Sequence, residues 1–356
     1  MTPLEEILIR QITRLGPISI ADYMAQCLLH PHHGYYTTRD PLGAQGDFTT
    51  APEISQMFGE MLALSLVQEW RAQGHPDFIL AELGPGRGTL MSDILRVIAQ
   101  FPDMAGTAEI WLVEASPTLR KVQADTITHP RLHWADRIED LPEAALFLVA
   151  NEFFDALPIR QFVAAGGQWH ERMVRVDEDR LGYAHVAGLP AGLGTDGSPA
   201  PADGAMLEIA PAAPAIAAEI ARRIAAHGGA ALITDYGHWG EHGDTLQSLR
   251  DHEKVDPLAF PGESDLTAHV DFRTLAEAAT GVARSGLIPQ GVFLERLGIT
   301  QRAQDLATKL EGAARDAHIA AHRRLTHPAE MGSLFKGLAL YPLGRPAPPG
   351  FDAYDP

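Results

Sequence analysis

The chain has 356 residues, 46% of them hydrophobic and 21% charged, which supplies a core for one large domain or two and excludes wholesale disorder. It carries 46 acidic against 28 basic side chains, a net charge of −18, and a field of that sign repels nucleic acid at long range. The single cysteine, Cys27, excludes an internal disulfide and reads as a buried structural thiol in an apolar stretch.

Leu4, Ile7, Leu8 and Ile12 recur at helical spacing, and Ser19 is placed to cap a second helix reaching about Leu29. The opening segment has early acids, Glu5 and Glu6, and no basic run. It does not read as a transit peptide, and the expected setting is the bacterial cytoplasm. No apolar run is long enough to span a bilayer. Residues 30–47, rich in Gly, Pro and aromatics, read as a loop, and Pro52 and Glu53 open one long amphipathic helix to about Trp70.

From Phe78 the pattern alternates. Short apolar runs at residues 78–83, 110–113, 132–134 and 146–150 alternate with helical periodicity at 90–99 and 117–127. Such alternation predicts βαβ units, hence an α/β fold with a doubly wound, mostly parallel sheet. Residues 160–186 read as antiparallel strands turning at Gly166-Gly167 and near Asp179, and residues 187–214 as a surface excursion. An alanine-rich helix over 211–226 leads to a buried strand at 230–234. Helices are predicted over 272–285 and over 304–325, the latter broken near Gly312, and a last strand over 335–340. The expected division is a helical region over residues 1–75, forming part of an active-site cover, and a catalytic domain over 76–356 with an antiparallel insertion at about 160–215.

The turn Glu82-Leu83-Gly84-Pro85-Gly86-Arg87-Gly88 lies between a strand and a helix, where glycines permit a sharp turn and close approach of a ligand to backbone. An acid at the strand end can meet the cationic sulfonium–amino acid end of S-adenosylmethionine (SAM), whereas it would repel a pyrophosphate. Glu82, Gly84, Gly86 and Gly88 are therefore read as SAM-binding. The next strand ends at Glu114-Ala115, placed for the ribose hydroxyls, and the third at Asp136, placed for the adenine amino group. The fourth runs into Asn151-Glu152-Phe153-Phe154-Asp155, where an amide and two carboxylates can hold and orient an acceptor nitrogen. Asn151, Glu152 and Asp155 are the candidate catalytic residues, with Asn151 also at the cofactor. A helix cap with first-turn acids is the plainer alternative for that cluster. Asp47, Thr49, Glu53, His269 and Asp271 are candidates for the substrate side; Asp265 and Asp271 also suit caps or turns. Neither the 16 histidines nor Cys27 form a zinc spacing, so no metal is expected.

These clusters resemble the MidA-like family. The resemblance rests on residues 46–56, 82–88, 151–158, 265–272 and Met331-Gly332-Ser333-Leu334-Phe335-Lys336, and it runs over nearly the whole chain. It implies a class I methyltransferase fold, SAM as donor and a protein arginine as acceptor, in the mitochondrial member on a core subunit of respiratory complex I. A homodimer is compatible with it. Two other readings stand beside it: a methyltransferase of a small molecule or another side chain, and a complex I assembly chaperone acting by contact alone. A nicotinamide dehydrogenase is disfavoured by Glu82.

Overall fold

The computed structural model describes residues 1–38, 49–188, 202–241 and 243–354. They fall into two compact units, one of Met1–Pro41, Ala156–Ala213 and Gly240–His269, the other of Leu42–Asp155, Pro214–Trp239 and Val270–Pro356.

The second unit is organised by a nine-stranded sheet. Its long strands are β1 (Phe78–Leu83), β2 (Ala108–Val113), β3 (Leu132–Ala135), β4 (Ala145–Asn151), β5 (Gly229–His238) and β6 (Phe335–Tyr341), in the spatial order β6-β5-β4-β1-β2-β3. Strands β1 to β5 are parallel and β6 is antiparallel to β5. Every residue of β1 and β4 is buried, as expected of strands covered on both faces, and this is why they appear in the sequence as apolar runs interrupted only near their carboxyl ends, by Glu82 and Asn151. After β3 the chain returns to the other side of β1, so the winding direction reverses between β1 and β4. That is where open α/β sheets leave a crevice at the carboxyl ends of their strands. The register aligns Leu83 with Ala150 and Thr234 with Asn151, so β1 and β4 end side by side, next to Thr234 of β5.

Helices α1 (Ala51–Ile54), α2 (Gln56–Ala72), α3 (Thr89–Ile98), α4 (Pro117–Thr126) and α5 (Ala213–His227) complete the frame of this unit. Phe58, Met61, Leu62, Leu66 and Trp70 of α2 are buried at helical spacing and join the core of Leu80, Ile110, Phe147 and Leu232. Pro117 stands at the first turn of α4, and the Ser116 hydroxyl caps it by accepting from the Leu119 N–H.

In the first unit, Pro3–Leu15 opens on a capping box between Thr2 and Glu5. With Ile20–Leu29 it buries Leu4, Leu8, Ile12, Tyr23 and Cys27 together with Ile159 and Val174. Strands Arg160–Ala165, Gln168–Asp177 and Arg180–Ala187 form the antiparallel meander expected for this stretch, turning at Gly166-Gly167 and at Glu178-Asp179. Among the described residues no helix is long and apolar enough to cross a membrane.

Four expectations need correction. The helix predicted from Pro52 to Trp70 is broken at Ser55, which is extended (φ −164°, ψ 137°) and caps α2 by accepting from the Met57 N–H. A serine hydroxyl competes for backbone donors and so starts a helix more readily than it continues one. The helix predicted over 272–285 stops at Ala278; after the left-handed Gly281, Ala283–Arg284 pairs with β6. The stretch 187–214 is not wholly an excursion, since Met206–Ile209 returns as a strand beside Arg160–Ala165; residues 189–201 lie outside the described residues. The three-stranded sheet Gln247–Arg250, Glu253–Val255 and Asp265–Thr267 was not anticipated, its strands being too short and polar to show alternation. Helices α1 and α2, although within the first 75 residues, belong to the unit of the large sheet.

Candidate active site

The turn after β1 brings the glycine motif to the sheet edge. Gly84, Gly86 and Gly88 have φ of 60°, 52° and 85°, left-handed values that disfavour any side chain. Gly84 is exposed, and a Cβ placed on it would come within 2.8 Å of Phe153 Cδ2, the residue after Glu152. Glu82, 3% exposed, is the penultimate residue of β1. Burial pushes its carboxyl up to about 8; the Met91 backbone N–H opposes this and the Glu114 charge adds to it. Its Oε2 has no hydrogen-bond partner among the described residues.

Glu114 closes β2 and is buried, which raises its carboxyl; its oxygens accept from the Ser116 N–H (2.8 Å) and from Gln123 Nε2 (3.2 Å). The partners come from the loop after β2 and from α4, and the Ala115 backbone N–H also favours the ionised carboxylate. Ala115 is exposed beside it. Asp136 follows β3 with its side chain 76% exposed and paired to Arg120 at 2.6 Å; Arg120 also grips the carbonyls of Glu114 and Ala135.

At the end of β4 the polar cluster is tightly wired. Asn151 Oδ1 accepts from Thr234 Oγ1 (2.8 Å), and Asn151 Nδ2 donates to Glu152 Oε1 (3.1 Å). The same glutamate oxygen accepts from the Ala51 N–H at the start of α1, also at 3.1 Å. Glu152 has φ of 50°, a left-handed conformation rare for a residue with a side chain. Its carboxyl is pushed up to about 7, first by burial and then by the Asp155 charge, while the Ala51 and Asn151 donors and the charge of Arg324 pull the other way. Asp155 is buried in the same turn. Behind it, Asp235 of β5 is fully buried and accepts from the backbone N–H groups of Phe154 (3.1 Å), Asp155 (3.2 Å) and Tyr236 (2.9 Å). Burial, followed by the charges of Asp155 and Glu152, holds the Asp235 carboxyl well above the usual range. Asp235 and Thr234 were missed from sequence. The available signal was a Thr-Asp pair closing a buried run next to the strand that ends in Asn151.

On the side assigned to substrate, Glu53 of α1 accepts from the hydroxyl of Thr89, the first residue of α3, and Thr49 is partly buried just before α1. Asp47 lies outside the described residues. Asp271 caps the helix Phe272–Ala278, accepting from Arg273 N (3.0 Å) and Thr274 Oγ1 (2.7 Å), so its carboxylate already has a structural task. His269 belongs to the first unit, where its N–H donates to Thr245 Oγ1. Asp265 is in that unit too and accepts from the Tyr36 hydroxyl. The structure thus gathers Asn151, Glu152 and Asp155 into one cluster with Asp235 and Ala51. Among the described residues no group of three or more His, Cys, Asp or Glu is arranged to hold a metal.

Comparison with known proteins gives this geometry its context. Residues 61–288 match a family described as "Putative S-adenosyl-L-methionine-dependent methyltransferase". The chain is 38% identical over 381 aligned positions to protein arginine methyltransferase NDUFAF7, mitochondrial, of Homo sapiens, covering 97% of this chain and 85% of that one. It is 37% identical over 366 positions to the Drosophila melanogaster homolog, covering 93% and 83%. A crystal structure of a Burkholderia thailandensis protein bound to S-adenosyl-homocysteine (SAH) superposes with a TM-score of 0.83 at 28% identity, over 98% of this chain and 94% of that one. The buried Glu82 oxygen without a donor, and a turn at Gly84 that leaves no room for a Cβ, suit a ligand that brings a cation and lies against backbone. The methyl donor is S-adenosyl-L-methionine, and the chain belongs to this family of S-adenosyl-L-methionine-dependent methyltransferases.

Proposed function

We propose that this enzyme methylates an arginine guanidinium of a protein partner, with Glu152 and Asp155 holding the acceptor. The observation that carries this reading is the cluster of carboxyls at the end of β4, buried for Asp155 and partly buried for Glu152, in which Glu152 is kept in a left-handed conformation by donors from α1 and from Asn151. A guanidinium is cationic at neutral pH, offers its donors in a planar fork, and must lose a proton as it is methylated. Two carboxylates can bind that fork, aim one Nη and receive its proton. Relatives named as protein arginine methyltransferases support the same acceptor.

SAM, when bound, supplies an electrophilic methyl group on a sulfonium. Glu82, Gly84, Gly86, Gly88, Glu114, Ala115, Asp136 and Asn151 are the residues proposed to hold it. Glu152 and Asp155 hold the guanidinium against water and fix its approach, the part of a direct displacement that a protein can supply. Glu152 Oε2 or Oε1 would receive the proton that the acceptor nitrogen loses on taking up the methyl group. A free-enzyme carboxyl at about 7 becomes ionised once a cation lies beside it, so it is ready as an acceptor. Thr49, Glu53, Asp47 and Asp271 are the proposed substrate-side residues.

The partner proposed is a basic segment of a respiratory complex I core subunit, attracted by the acidic surface of the chain. The curated relatives are mitochondrial; the setting proposed for this chain is the bacterial cytoplasm. The test is incubation with methyl-labelled SAM and host lysate, followed by mass spectrometry. Label on an arginine of one protein is the expected result. Label confined to metabolites, or to other side chains, overturns the acceptor assignment.

A further inference from the structure

Asp235 is a buried carboxyl to which the chemistry above gives no task. It is 0% exposed on β5, and among the described residues no cation pairs with it. Its hydrogen bonds go to three backbone N–H groups, two of them on the turn that follows the neighbouring strand β4. Burying a carboxyl without a cation is costly, and a neutral side chain with one carbonyl oxygen would satisfy the same two donors more cheaply. The turn it grips is the one that carries Glu152, whose left-handed φ of 50° persists only if the surroundings over-determine it. The other restraints come from different directions: the Ala51 N–H and Asn151 Nδ2 hold the Glu152 carboxylate from the front, and its own N–H donates to the Thr234 carbonyl at 3.0 Å.

We propose that Asp235 is a positioning residue for methyl transfer: by gripping the backbone of Phe154 and Asp155 from β5, it locks Glu152 in its left-handed conformation and sets the spacing of the Glu152 and Asp155 carboxyls around the acceptor nitrogen. The inference rests on the reading that these two carboxyls hold the acceptor. It does not require the acceptor to be arginine.

The test compares wild type, Asp235→Asn and Asp235→Ala. Initial rates of label transfer from SAM into host-lysate protein are measured against SAM concentration and lysate dilution, and SAH affinity is measured by calorimetry. Asn keeps one carbonyl oxygen for the two turn donors, and Ala keeps none. The expected result is a kcat at least tenfold below wild type for Ala, an intermediate value for Asn, and SAH Kd within twofold for both. Wild-type kcat in folded variants, or SAH affinity falling in step with kcat, overturns the proposal. Label on a residue other than arginine refutes the arginine reading alone and leaves this comparison valid. If wild type labels nothing, crystal structures of the two variants with SAH decide: a Glu152 that leaves the left-handed region supports the proposal, and one that stays overturns it.

Discussion

Glu152 combines a strained backbone with a carboxyl that titrates near neutrality. A non-glycine residue in the left-handed region costs on the order of 1 kcal/mol, and here three hydrogen bonds hold it there. Glu152→Gln keeps the shape and removes the charge and the basic site. Its kcat should fall about 100-fold, a general-base magnitude, while SAH affinity by calorimetry stays within twofold. Because the wild-type carboxyl sits at about 7, kcat/KM should fall tenfold per unit below that pH, and the Gln variant should lose this limb. A Gln variant as fast as wild type removes Glu152 from the chemistry. Glu82 allows a separate check. At about 8 it is largely protonated at pH 7, and a cation placed beside it favours ionisation, so binding of SAM should release a proton. Calorimetry at pH 7 in two buffers of different ionisation enthalpy measures that proton; uptake, or no exchange, contradicts the contact. The acids that end strands were legible from sequence because each follows an apolar run. Asp235 ends such a run too, but its task depends on which turn lies next to β5, and only the strand order supplies that.

Elements were legible where one period persisted. β1 and β4 are apolar runs up to their carboxyl ends, and α3 and α4 carry clear caps or spacing. What escaped depends on finer contacts, as with Ser55, whose backbone N–H closes one helix while its hydroxyl caps the next, and with the strand pair at Ala283–Arg284. The helix Ile299–Ala307 shows how such contacts hold the frame. Its Arg302 donates to both oxygens of Glu60 on α2, at 2.7 and 2.9 Å, and Arg96 of α3 reaches the same carboxylate at 2.8 Å. Burial pushes the Glu60 carboxyl up, but the two arginines outweigh it and leave it below its ordinary value. Glu60 is 5% exposed, whereas Arg96 and Arg302 are 43% and 39% exposed and recover hydration when the carboxylate is lost. The cost of Glu60→Gln should therefore fall below the range for a fully buried pair, at about 2 kcal/mol. In urea unfolding this appears as a lower midpoint with an unchanged slope; a midpoint within error of wild type refutes the clasp.

For the whole molecule, two sets of carboxyls pull stability in opposite directions with pH. Glu60, Glu143 and Glu219 are lowered on folding, so what they contribute is present above the ordinary value of 4.5 and is lost as pH falls, for Glu143 toward about 2. Glu82, Glu114, Glu152 and Asp235 are raised, so their contribution is complete below their unfolded values and is lost as pH rises, through about 7 for Glu152 and about 8 for Glu82. Thermal stability of the ligand-free protein should therefore be greatest near pH 5 and fall steadily to pH 8.5. A net charge of −18 predicts a fall of the same sign through self-repulsion, so the slope alone does not separate the causes. Salt does: it screens exposed charges over about 10 Å at 0.1 M and leaves a buried carboxyl nearly untouched. In 0.5 M salt wild type should still lose stability between pH 5 and 8.5, and Glu82→Gln, which has no charge to bury, should lose measurably less. Saturating SAH should narrow the difference, because its amino acid end stabilises the ionised Glu82. If salt abolishes the wild-type slope, or Glu82→Gln follows wild type at every pH, then the surface charge governs the acid–base behaviour of this fold and the carboxyl at the glycine turn does not.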